Sequence, residues 1–72
     1  MIVALIDSGL GLLPTSAWLR RVRPELDLML SMDPDGAPWG AKPGDWVIDR
    51  VVRTAERAVT RGAEVVVLPC NT

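Results

Sequence analysis

The run Ile2-Val3-Ala4-Leu5-Ile6, closed by Asp7-Ser8-Gly9, decides the fold class. An unbroken apolar stretch of strand length, ending in turn formers, reads as a strand buried on both faces and followed by a loop. Strands buried in this way belong to parallel sheets, whose neighbours are joined by crossover helices. The remaining sequence supplies those parts in order. Pro14-Thr15 opens a helix that continues through Ala17-Trp18-Leu19-Arg20-Arg21-Val22 and stops at Pro24. Residues 26–31 (LDLMLS) form a second strand, with Asp27 interrupting its apolar run and marking it as less deeply buried. Residues 32–44, with Pro at 34, 38 and 43 and Gly at 36, 40 and 44, read as a loop.

A long helix is expected over residues 45–61. Ile48, Val51, Val52, Ala55 and Val59 share one face, and Arg50, Arg53, Glu56 and Arg57 lie largely on the others. Asp45 complements the positive end of its dipole, Arg57 and Arg61 complement the negative end, and Gly62 terminates it. Residues 64–68 (EVVVL) make a third strand, β-branched and expected to be buried. The pattern β-α-β-α-β predicts an α/β unit with a three-stranded parallel sheet and right-handed crossovers. Order 2-1-3 follows from placing the two uniformly apolar strands side by side and the Asp27 strand at an edge. It also brings the loops after strands 1 and 3 together at a crevice, the usual ligand site of such sheets. Strand 3 would then be a bare edge, so residues 1–72 are expected to be one incomplete domain, part of a larger doubly wound one.

Composition narrows the function. The 49% apolar and 24% charged residues fit a globular chain rather than a disordered one. Eight Lys+Arg against nine Asp+Glu, a net charge of −1, argue against a nucleic-acid or polybasic membrane partner. The apolar start is broken by Asp7, too early for a signal peptide or a membrane helix, and the expected location is cytoplasmic. With no His and one Cys, there is no His-based metal site, internal disulfide or Cys-rich zinc site.

Three stretches could carry chemistry. Asp7-Ser8-Gly9-Leu10-Gly11-Leu12 offers backbone N–H groups before a helix, a cradle for a carboxylate or phosphate, although an ordinary β-to-α turn explains it equally well. It lacks the third glycine of a dinucleotide fingerprint and the Gly-Lys-Ser/Thr of a P-loop. Cys70, beside Asn71 and Thr72, stands just past strand 3, where a thiolate could act as nucleophile or carbon-acid base; the plainer reading is an inert buried thiol. In the loop after strand 2, Asp33 and Asp35 are better read as turn formers than as metal ligands. Trp39, between Pro38 and Gly40, could wall a pocket, whereas Trp18 and Trp46 read as helix packing residues. Lys42 is the only lysine.

Taken together, these stretches resemble the amino-terminal part of glutamate racemase, in the cofactor-independent Asp/Glu racemase superfamily. The resemblance is carried by Asp7-Ser8-Gly9-x-Gly11, by Asp33 with Pro38-Trp39-Gly40 and Lys42, and by Cys70-Asn71-Thr72, in family order. It departs at Leu12, where a second Gly is usual, at Trp39, where Tyr is usual, and at Pro69, where a small residue is common. The resemblance implies an isomerase that interconverts L- and D-glutamate for peptidoglycan precursor supply, without pyridoxal phosphate or a metal. Cys70 and Asp7 would be catalytic, and Asp7, Ser8, Trp39, Gly40, Asn71 and Thr72 would bind substrate. The family's second cysteine has no counterpart in this sequence, so the chain alone is expected to be inactive. A homodimer of the intact protein is left open. Two alternatives also remain. One is a related aspartate racemase, decarboxylase or isomerase of the superfamily, and the other is a non-catalytic anion-binding fragment.

Overall fold

The computed structural model describes residues 1–36 and 38–69. The elements follow the predicted order: β1 (Ile2–Asp7), α1 (Leu12–Val22), β2 (Asp27–Met32), a single 3-10 turn (Trp39–Ala41), α2 (Gly44–Thr60) and β3 (Val65–Val67). The sheet is parallel with order β2-β1-β3, as predicted. β1 is central, pairing Ile2–Asp7 with Asp27–Met32 on one side and Val3–Leu5 with Val65–Val67 on the other.

The alternation of side chains along β1 builds two cores. Val3 and Leu5 meet Leu12 and Leu26 on the α1 face, with Leu19, Leu28 and Val67 packed around them. On the α2 face Ala4 meets Ala58 and Ala63, flanked by Ile2, Met29 and Val66. Small residues on that face let the helix approach the sheet closely. The strand that reads as apolar on both faces is therefore buried on both.

Local chemistry explains the boundaries. α1 starts at Leu12, two residues before the expected Pro14. Pro14 sits in the first turn, where the helix leaves its N–H groups unpaired and a missing donor costs little. α2 ends in a Schellman motif: Gly62 has φ +105°, its N–H donates to Val59 O (2.9 Å), and Ala63 N–H donates to Ala58 O (3.0 Å). The loop over 32–44 is irregular except for the 3-10 turn, where Ala41 N–H donates to Pro38 O (3.2 Å).

The apolar face of α2 lies only partly on the sheet, and two expectations about burial are corrected. Val51 and Ala55 are half-buried and Ala58 is the buried residue of the helix, while Ile48 (66% exposed), Val52 and Val59 are open to solvent. Arg50, Thr54 and Arg57 instead turn towards β2, lining clefts with Ser31. At 3.6 residues per turn the Ile48–Val52–Val59 stripe therefore points to the opposite, β3 side, where the narrow sheet offers nothing to cover it. β3 is not buried either: Val65, and Leu68 just past it, are exposed and Val66 and Val67 half-buried, because among the described residues β3 pairs on one side only. Trp18 packs against no core; it is 63% exposed, with the Arg21 guanidinium 6.0 Å from its ring centre.

Candidate functional site

The site is built where β1 and β2 deliver their carboxyl ends. Asp7 closes β1 and is buried (5% exposed). Its Oδ1 accepts the N–H of Ser8 at 2.8 Å, which folds the chain sharply out of the strand. Gly11, the N-cap residue of α1, lies against the other carboxyl oxygen so closely that a Cβ there would collide with it. The Asp7 carboxyl thus sits at the amino end of α1, where the helix dipole favours negative charge. Ser8 and Gly9 are half-buried beside it.

A polar cavity of about 200 Å³ opens next to Asp7, walled by Ser31 and Asp33 from β2 and its exit, and by Arg50, Thr54 and Arg57 from α2. Sequence reading places these arginines among the outward residues of the helix. Their role emerges only because α2 is rotated so that its polar edge overhangs β2.

Asp33 organises the far wall. Its carboxylate takes both arms of the Arg50 fork, Nε at 2.6 Å and Nη2 at 2.8 Å. It also accepts the Trp39 indole N–H at 2.9 Å and the Gly36 amide at 3.1 Å. The Arg50 guanidinium above all, then the Trp39 and Gly36 donors, hold the pKa of its carboxyl well below the usual carboxylate range, against the opposing effect of burial. The turn-forming reading of Asp33 holds, with a partner 17 residues away that no local pattern signals. Trp39 is buried (1% exposed) with its indole committed to Asp33, and Gly40 is exposed beside it. Trp46 is half-buried, its ring flanked by Lys42 Nζ and the Arg50 guanidinium, each 5.3 Å from its centre. Among the described residues no three His, Cys, Asp or Glu side chains converge as a metal site, and no helix is long and apolar enough to cross a membrane.

Of the expected site residues, the structure gathers Asp7 and Ser8 at the end of β1, and fixes Trp39 and Gly40 in the turn beyond β2. Cys70, Asn71 and Thr72 lie outside the described residues. Leu12, where the resemblance expects glycine, is fully buried in the α1-side core.

An open parallel α/β sheet with a buried acid and a polar cleft at its strand ends is the arrangement of proteins that handle small molecules. The particular similarity is to glutamate racemases. The chain is 36% identical to the glutamate racemase of Ralstonia pickettii (strain 12J) over 97% of its own length and 25% of that protein's. It is 37% identical to that of Pseudomonas putida (strain W619), over 97% and 26% respectively. The figure for Caulobacter sp. (strain K31) is 35%, over 100% and 25%. The chain thus spans about a quarter of the length of the curated relatives it matches. The resemblance read from the three motifs is borne out by these relatives. No family model matches the chain, and no solved structure matches it significantly.

Proposed function

We propose that residues 1–72 form the amino-terminal part of a larger domain in a cytoplasmic, cofactor-independent glutamate racemase, which supplies D-glutamate for peptidoglycan precursors. The observation that carries this reading is the similarity to glutamate racemases along essentially the whole chain. The buried Asp7 at the carboxyl end of the central strand supports it.

In this reading the Cys70 thiolate removes the α-proton of glutamate, leaving the electron pair on the α-carbon, delocalised into the carboxylate. A thiol supplied by the remainder of the enzyme returns a proton to the opposite face. The α-proton is a weak acid, so the base must be held accurately and the developing charge met by preorganised donors. Asp7 holds the substrate ammonium and orients Cys70. Ser8, Asn71 and Thr72 bind the amino-acid head group, and the Trp39-Gly40 turn bounds the site. Parallel pairing of β3 with β1 sends the chain beyond Val67 towards the end of the sheet that carries Asp7, which supports this grouping.

The test is conversion of L- to D-glutamate, followed by circular dichroism, for the uninterrupted product of the reading frame that contains these codons. Cys70→Ser should lower the rate by about 10²–10⁴-fold, and the 72-residue chain alone should give none. Full activity in Cys70→Ser, or conversion of aspartate in preference to glutamate, would overturn the assignment.

A further inference from the structure

The Asp33 carboxylate is the most heavily engaged side chain among the described residues. Both oxygens are used twice: Oδ2 accepts Arg50 Nε and Trp39 Nε1, and Oδ1 accepts Arg50 Nη2 and the Gly36 amide. Paired, parallel bonds to a planar guanidinium fix orientation as well as distance, which a lysine ammonium cannot do. The donors come from three places: the start of the loop, the 3-10 turn and the second turn of α2. The neighbouring packing leaves no slack, because a Cβ at Gly36 would strike both the Asp33 carboxyl and the Trp46 ring. Trp46 in turn has both the Lys42 and Arg50 cations over its ring. The loop leaving β2 is therefore tied down at its start, at Trp39 and at Lys42, and each tie leads back to Arg50 on α2.

We infer that Asp33 is a positioning residue. By gripping Arg50 and Trp39 at once, it fixes the Trp39-Gly40 turn, with its exposed Gly40 backbone, relative to α2, which walls the cavity beside Asp7. The inference rests on the reading above only in taking that turn to face the substrate. Asp33 itself touches no reacting atom; it acts through Trp39.

The experiment is ¹H–¹⁵N NMR of the 72-residue chain, with the Trp39 indole resonance identified by its disappearance in Trp39→Phe. In Asp33→Asn the indole proton should lose the downfield position of a carboxylate-bound N–H. Hydrogen exchange of the Trp39–Lys42 amides should quicken roughly ten- to a hundredfold, with β1 amides unchanged. Arg50→Lys keeps the charge and should give an intermediate result, which keeps the inference decidable if Asp33→Asn does not fold. An unmoved indole and unmoved loop amides would overturn it, as would equal loss of protection throughout the sheet. Turnover of L-glutamate by the uninterrupted product of the reading frame separates the two claims: its absence counts against the racemase reading, while the indole result stands by itself.

Discussion

Replacing Leu12 with Ala should remove a large share of the stability of this chain. Leu12 is the first residue of α1 and is fully buried, packed on Val3, Leu5 and Leu26, with Leu19, Leu28 and Val67 around them. Losing its terminal isopropyl group forfeits transfer energy of about 0.8 kcal/mol per methylene equivalent. It also leaves a cavity between a sheet and a helix that close on it from different elements and cannot readily collapse. Fully buried Leu→Ala changes span about 2–5 kcal/mol, and the confinement here argues for the upper half, about 3–4 kcal/mol. A 72-residue chain at roughly 0.05–0.15 kcal/mol per residue has about 4–11 kcal/mol to lose. Urea unfolding followed by far-ultraviolet circular dichroism measures the change, with Leu12→Met as the volume-conserving control at under about 1.5 kcal/mol. Leu12→Gly, the residue the family resemblance expects, should cost about 1 kcal/mol more than Leu12→Ala. A cost below about 1 kcal/mol for Leu12→Ala would refute the packing argument.

Further outcomes follow from the site and the surface. Gly11→Ala pushes a methyl group into the Asp7 carboxyl and should cost about 1–3 kcal/mol, with the Ser8 amide resonance shifting as its bond to Asp7 is disturbed. Because the Asp33 pKa is lowered in the folded state, its contribution is complete above the ordinary carboxylate range, near pH 4, and is lost on acidification below it. A pH titration of stability should therefore show an acid-side loss that is reduced in Asp33→Asn. Val52→Lys combined with Val59→Lys should lower binding of a hydrophobic dye while leaving unfolding stability within about 0.5 kcal/mol, since both side chains are exposed. If those two positions were core, the double change would unfold the chain. Trp18→Ala should be close to neutral for the same reason.

The sequence by itself determined the element order, the parallel sheet and the central place of β1. It could do so because an apolar run without alternation has only one comfortable home, a strand covered on both sides. It also determined strand order, since Asp27 marks β2 as a strand able to tolerate an edge, and β2 lies at one. The Gly62 stop was equally legible, because a left-handed cap is a local property of the backbone. The place of Asp7 at the close of β1 was legible from the turn formers that follow it, although its fit against Gly11 was not.

Tertiary structure alone decided how α2 is rolled on the sheet. Periodicity reveals that Ile48, Val52 and Val59 share a face, but the direction of that face depends on the width of the sheet beneath it and on where Ala4 and Ala63 admit Ala58. The same roll turns Arg50 towards β2 and makes the Asp33–Arg50–Trp39 grip. A bond between residues 17 apart leaves no periodic trace in the chain, because it depends on the approach of two elements rather than on the spacing within either.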